Sequence, residues 1–181
     1  MPGAPRYDAF ARALHWLIAL ALAGQIAFGL LLDEIAPRGT PARASVINLH
    51  KSVGIVIGLL IVVRLLWRLR HAPPRWPETM GASARRAAAW GHRALYLTML
   101  MLPAAGYLAS NFSRHGIRFF GLPLPAWGPD LPRVYAALNS MHRYTAWLLL
   151  LLIAGHVAFA IKHALIDRDG LFERMGPRLR K

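Results

Sequence analysis

The side chains with the most chemistry in this chain are its histidines: His15, His50, His71, His92, His115, His142, His156 and His163, against no cysteine at all. Imidazoles without thiolates can carry protons or ligate a metal. They cannot supply a disulfide, an iron–sulfur cluster or a thioether link to a prosthetic group. His142 and His156 share one stretch, NSMHRYTAWLLLLLIAGHVAFAIKHAL, fourteen residues apart. On an α-helix that interval returns to within about 40° of the same face and climbs about 21 Å. Two imidazoles at that spacing are too distant to share one metal ion or one proton. They suit two separate sites stacked along a helix.

Apolar helices must position them. The chain is 56% hydrophobic, and four segments, near 9–32, 46–70, 86–110 and 139–165, approach the roughly 20 residues that cross a bilayer core. The apolar run of the first, from Leu14, begins after Arg6, Asp8 and Arg12, and no small-residue cleavage site follows it. It therefore reads as a retained span and not a signal peptide. HAPPRWP stops the second segment, and FFGLPLPAWGPDLP interrupts the long connection over 111–139. Phe119, Phe120, Leu122, Leu124 and Trp127 there fit either an interfacial segment or a loop cap with buried aromatics. The expected fold is all-α, an integral membrane four-helix bundle in one domain over residues 1–181.

A net charge of +14 raises the question of nucleic acid, but its distribution argues against that partner. The basic residues sit beside span ends and form no basic region of the soluble type. Arg64, Arg68, Arg70, Arg75, Arg85, Arg86 and Arg93 fall around the second connection. Lys162, Arg168, Arg174, Arg178, Arg180 and Lys181 follow the last span. With Arg6 and Arg12 they outnumber Arg38, Arg43, Lys51, Arg114, Arg118, Arg133 and Arg143 on the other side. The positive-inside rule then places both termini in the cytoplasm.

That topology sorts four histidines by depth, His15 with His156 toward the inner face and His50 with His142 toward the outer. One histidine from each of two helices can fill both axial positions of a haem iron, and without cysteine no covalent c-type attachment is possible. Two haems are expected. Gly54 and Gly58, four and eight residues after His50, leave room for a macrocycle or form a GxxxG packing motif. Gly29 and Gly155 read the same way. His71 and His115 fall in solvated loops.

LHWL in the first span, NLHKSVGI and RLLWRLR at the ends of the second, GHRALYLTMLMLPAAGYL in the third and the His142/His156 helix resemble the bacterial cytochrome b561 family. The similarity is greatest to its small, stand-alone, four-helix di-haem members, and it runs from about Tyr7 to Pro177. It implies a single transmembrane di-haem cytochrome b domain, multi-pass in the bacterial inner membrane, with His15/His156 on the inner haem and His50/His142 on the outer. It further implies quinone-linked electron transfer: superoxide oxidised at the periplasmic side and ubiquinone reduced, a superoxide:quinone oxidoreductase. Lys51 and Arg143, each directly after an outer ligand, either match haem propionates or form a positive rim attracting superoxide, which Arg114, Arg118 and Arg133 would extend. His163 and Trp16 are candidate quinone contacts. His92 could do the same or replace an inner ligand. Arg12, Arg93 and Lys162 are further contacts or snorkelling interface residues. The alternative is a haem b electron-transfer subunit serving a hydrogenase- or dehydrogenase-type protein partner. Compact loops lean toward the stand-alone form.

Overall fold

The computed structural model describes residues 6–77 and 80–177. The basic residues Arg178, Arg180 and Lys181 lie outside the described residues. The architecture is helical: α1 (Ala9–Leu30), the short α2 (Leu32–Ile35), α3 (Arg43–Arg70), α4 (Ala82–Asn111) and α5 (Pro132–Lys162), with a small antiparallel hairpin, β1 (Ile117–Phe119) and β2 (Leu122–Leu124), between α4 and α5. A π-helical turn (His163–Asp167) and a 3₁₀ turn (Phe172–Arg174) follow α5.

Local chemistry explains the helix ends. Asp8 caps α1 by accepting the Ala11 N–H at 2.8 Å, which satisfies one of the orphan donors of the first turn. That bond, with a second from the Trp67 indole, holds the Asp8 carboxyl below its ordinary range. α3 stops at His71, just ahead of Pro73 and Pro74, because the residue before a proline is driven to extended backbone. α5 opens on Pro132, whose fixed φ suits a first helical position and whose missing N–H costs nothing there. It therefore starts earlier than the apolar segment near 139. The hairpin turns through Phe120 (φ 46°) and Gly121 (φ 94°), the two left-handed residues of a tight two-residue loop.

Close packing runs between neighbours, α1 with α3, α3 with α4 and α4 with α5, while the hairpin lies on α3. The core is a mid-bundle layer of Leu14, Ile18, Leu22, Ile57, Ile61, Leu102 and Leu149. Large apolar side chains instead cover the outside, as at Leu20, Leu97, Leu151 and Phe159, an arrangement that water would penalise and lipid favours. Among the described residues, three helices are long and apolar enough to cross a membrane: Ala9–Leu30, Arg43–Arg70 and the continuous Pro132–Asp167 helix. α4 is not among them, since Tyr96, Thr98, Pro103 and Tyr107 lower its hydropathy.

The bundle has two distinct ends. The chain termini meet at one: the Tyr7 N–H donates to the Arg174 carbonyl at 3.3 Å, and the Trp16 indole donates to the Met175 carbonyl at 2.9 Å. The hairpin covers the other end. Fully buried Ser52 accepts the Phe120 N–H at 2.9 Å, and Asn48 accepts the Arg118 N–H at 2.9 Å.

Candidate functional site

The helices bring the four depth-sorted histidines together as two pairs. At the terminal end, the rings of His15 on α1 and His156 on α5 stand 6.2 Å apart with planes inclined at 68°. At the hairpin end, His50 on α3 and His142 on α5 stand 6.2 Å apart at 82°. Two metal–nitrogen bonds of about 2.0–2.1 Å, with half an imidazole at each end, come to about 6 Å. The separation therefore fits one metal ion between the two rings of each pair. It is too long for direct stacking or for a hydrogen bond between rings. The residues present fit a haem iron at each pair, and the ring separation is the same at both.

Surrounding groups hold the rings. His142 Nδ1 lies 2.8 Å from the Leu102 carbonyl. A carbonyl only accepts, so Nδ1 carries the proton and the Nε2 lone pair is left for a metal. The Gln25 side-chain amide donates to the His50 carbonyl at 2.7 Å and lies 3.1 Å from His50 Nδ1, tying the ligand's helix to α1. Two glycines make room. A Cβ on Gly29 would sit 3.0 Å from His50 Cε1, and one on Gly106 only 2.9 Å from His142 Nδ1. Gln25 and Gly106 were not evident as site residues in the sequence. For Gly106 a signal existed: it stands fourteen residues after His92, the same interval that joins the histidines of α5.

The terminal layer is more polar. His92 on α4 stands 5.6 Å from His156 with planes at 81°, and its Nδ1 donates to the Ala88 carbonyl at 2.7 Å. Arg64 on α3 donates to the Tyr96 hydroxyl at 3.2 Å and to the Ala11 carbonyl at 3.3 Å.

The other expected site residues fall as follows. Gly58 lies against Pro103 of α4, where an added Cβ would meet the proline ring at 3.3 Å. Gly54 faces Gln25 at 3.5 Å, and Gly155 faces open space. Lys51 donates to the Gly116 carbonyl at 2.7 Å and so fastens the loop leading into the hairpin. Arg143 is exposed and makes no hydrogen bond or ion pair among the described residues. Trp16 sets its ring edge-on to His15 at 5.4 Å. His163 is bound into the π turn, its Nδ1 2.8 Å from Asp169 and 3.0 Å from Asp167. His71 stacks on Trp67 at 3.9 Å, and His115 is exposed.

The family model for prokaryotic cytochrome b561 matches residues 6–178. The chain is 34% identical over 172 residues to cytochrome b561 homolog 2 of Escherichia coli (strain K12), covering 94% of this chain and 90% of that one. It is 28% identical over 165 residues to cytochrome b561 homolog 1 of the same organism, covering 91% and 93%. To a Yersinia pestis protein named "Probable superoxide oxidase CybB" it is 27% identical over 176 residues, covering 97% and 98%.

Proposed function

The chain belongs to the prokaryotic cytochrome b561 family, and from that premise we propose that it is a di-haem membrane cytochrome passing electrons from superoxide to ubiquinone. Family membership implies membrane electron transfer and haem b. The observation that carries the fuller reading is the pair of imidazole pairs, each with rings 6.2 Å apart. His15 with His156 holds one haem b, and His50 with His142 holds the other. Haem held by these histidines would supply one-electron chemistry.

The chain's own residues do the rest. The Leu102 carbonyl aims His142, and Gln25 steadies His50. Between the pairs, Ile57, Ile61, Leu102 and Leu149 exclude water, keeping the interior at low dielectric where charge movement is directed and not screened. At the hairpin end, Arg143 with Lys51, Arg114 and Arg118 forms a positive rim. Focused fields of that sign raise anion on-rates by about 10–10³-fold, which suits superoxide. Each superoxide gives up one electron and leaves as dioxygen. Two such electrons and two protons convert one quinone to the quinol. Trp16 and His163 lie at the terminal end, where quinone would contact them. The likeness to the Yersinia pestis protein supports superoxide as the donor.

In the bilayer, α4 serves as the fourth span, since it packs along α3 and α5 and exposes Leu97 outward. The greater share of cations lies at the terminal end, so the positive-inside rule sets both termini in the cytoplasm of a bacterial inner membrane and the hairpin in the periplasm. The deciding experiment uses protein purified in detergent. Two low-spin b-type haems per chain, with superoxide consumed in step with ubiquinone reduction, are expected. A full haem complement with no superoxide consumption would overturn the superoxide assignment. It would leave an electron-transfer subunit for a hydrogenase- or dehydrogenase-type partner.

A further inference from the structure

At the terminal end lies a cavity of about 510 Å³ that no ligand pair accounts for. Its apolar floor includes Ala11 and Leu14, the latter the neighbour of His15. Trp67 and Tyr96 wall it, and Arg64 and Arg68 line it with Arg6 and Arg70. Asp8 is the one acid among the described lining residues, and the Ala11 N–H and the Trp67 indole already hold its carboxylate.

Arg64 is placed at the depth of the terminal histidine layer. Its two acceptors, Ala11 and Tyr96, each sit one turn from a histidine of that layer, His15 and His92. Arg68 follows one turn later and makes a single bond, to the Tyr7 hydroxyl at 3.1 Å. A guanidinium carries five N–H donors. Most of those on Arg64 and Arg68 are therefore uncommitted among the described residues. An apolar floor beside a ligand histidine, edged by two guanidinium groups, is complementary to a flat apolar ligand with anionic arms. Arginine is the side chain best suited to grip carboxylates, which it can do with two parallel bonds.

We infer that this cavity seats the carboxylates of the haem held by His15 and His156, with Arg64 and Arg68 as their charged partners. The assignment rests on the two-haem reading above. At the hairpin end, fourteen residues before Arg64, α3 carries the ligand His50 itself, and Lys51 beside it is bonded to Gly116.

The test uses the full chain purified with its haem, then stripped and reloaded with protohaem or with its dimethyl ester. The proteins compared are wild type, Arg64→Lys, and Arg64→Met combined with Arg68→Met. The wild type should hold the second protohaem at least about tenfold longer than the double variant, since a charge-assisted hydrogen bond to each carboxylate is lost. Arg64→Lys, which keeps the charge, should recover part of that retention. The ester should be released equally fast by all three. Equal release of protohaem from wild type and double variant, as expected if the cavity serves a lipid phosphate, overturns this assignment alone. A wild type that never holds more than one haem overturns the reading beneath it.

Discussion

Gly106→Ala is a one-carbon test of how the hairpin-end pair is held. The new Cβ would lie 2.9 Å from His142 Nδ1 and 3.1 Å from Cε1, where ordinary contact begins at 3.4 Å. The imidazole must move by about half an ångström. It is not free to do so, because Nδ1 is bonded to the Leu102 carbonyl at 2.8 Å. Loss of that bond costs about 0.5–1.5 kcal/mol, and overpacking a filled site costs about 1–3 kcal/mol. The helix gain of alanine over glycine offsets only about 0.8–1.0 kcal/mol. The net is a destabilisation of about 1–3 kcal/mol concentrated on one ligand. Ligand geometry tolerates displacements of only about 0.5 Å, so the shift reaches that limit.

The consequence is local and readable. Electron paramagnetic resonance and the visible spectrum should show one low-spin bis-imidazole haem lost or converted to high spin, with the other intact. Gly29→Ala should act on the same haem through His50, since its Cβ would meet Cε1 at 3.0 Å. Gly24→Ala provides the control, since its Cβ meets nothing within 4 Å. It should keep two low-spin haems. Retention of both haems in Gly106→Ala, or equal damage in Gly24→Ala, would refute the steric argument.

Three further outcomes follow from other contacts. Ser52→Ala removes the fully buried acceptor of the Phe120 N–H. The hairpin should loosen by about 1–3 kcal/mol, seen as faster hydrogen exchange at that amide with haem content unchanged. Leu149→Ala opens a void where the side chain is wholly buried between the two histidine layers. It should lower stability by about 2–5 kcal/mol in thermal unfolding, with both haems still bound before the transition. Arg143→Gln, at an exposed site directly after His142, should slow superoxide consumption and flatten its fall with ionic strength, because a field acting over a Debye length of about 8–10 Å is what salt screens. An unchanged salt profile would remove Arg143 from the attracting rim.

Much of this was legible beforehand for a physical reason: a helix converts sequence interval into direction and height without help from tertiary structure. His142 and His156 therefore announced a shared face, and the alternating direction of successive spans sorted the other histidines by depth. What was not legible depended on contacts between helices. The fourteen-residue spacing says nothing of the Leu102 carbonyl, which reaches His142 from α4. It says nothing of Gln25 either, whose amide crosses from α1 to α3. The hairpin escaped notice because FFGLPLPAWGPDLP carries prolines that argue only against helix, while its pairing is pinned from outside by Asn48 and Ser52. The bond from Lys51 to the Gly116 carbonyl was not legible because the two residues are distant in sequence.

The same interval organises all four long helices. α1 carries His15 and Gly29, α3 carries His50 and Arg64, α4 carries His92 and Gly106, and α5 carries His142 and His156. One member of each pair lies in the terminal layer and one in the hairpin layer. In the hairpin layer the two non-histidine positions are glycines, each against a ligand ring, so the pair there is enclosed by bare backbone. In the terminal layer the two extra positions are His92 and Arg64, polar groups that interact with the pair and with the cavity beside it. Two sites with the same ring separation are thus given different surroundings by exchanging glycine for imidazole or imidazole for guanidinium at matched heights. That difference is what would let one end take electrons from a small anion while the other serves a ligand that also needs protons. The identities at those eight positions are one difference between the two sites; the helix spacing that sets their heights is common to both.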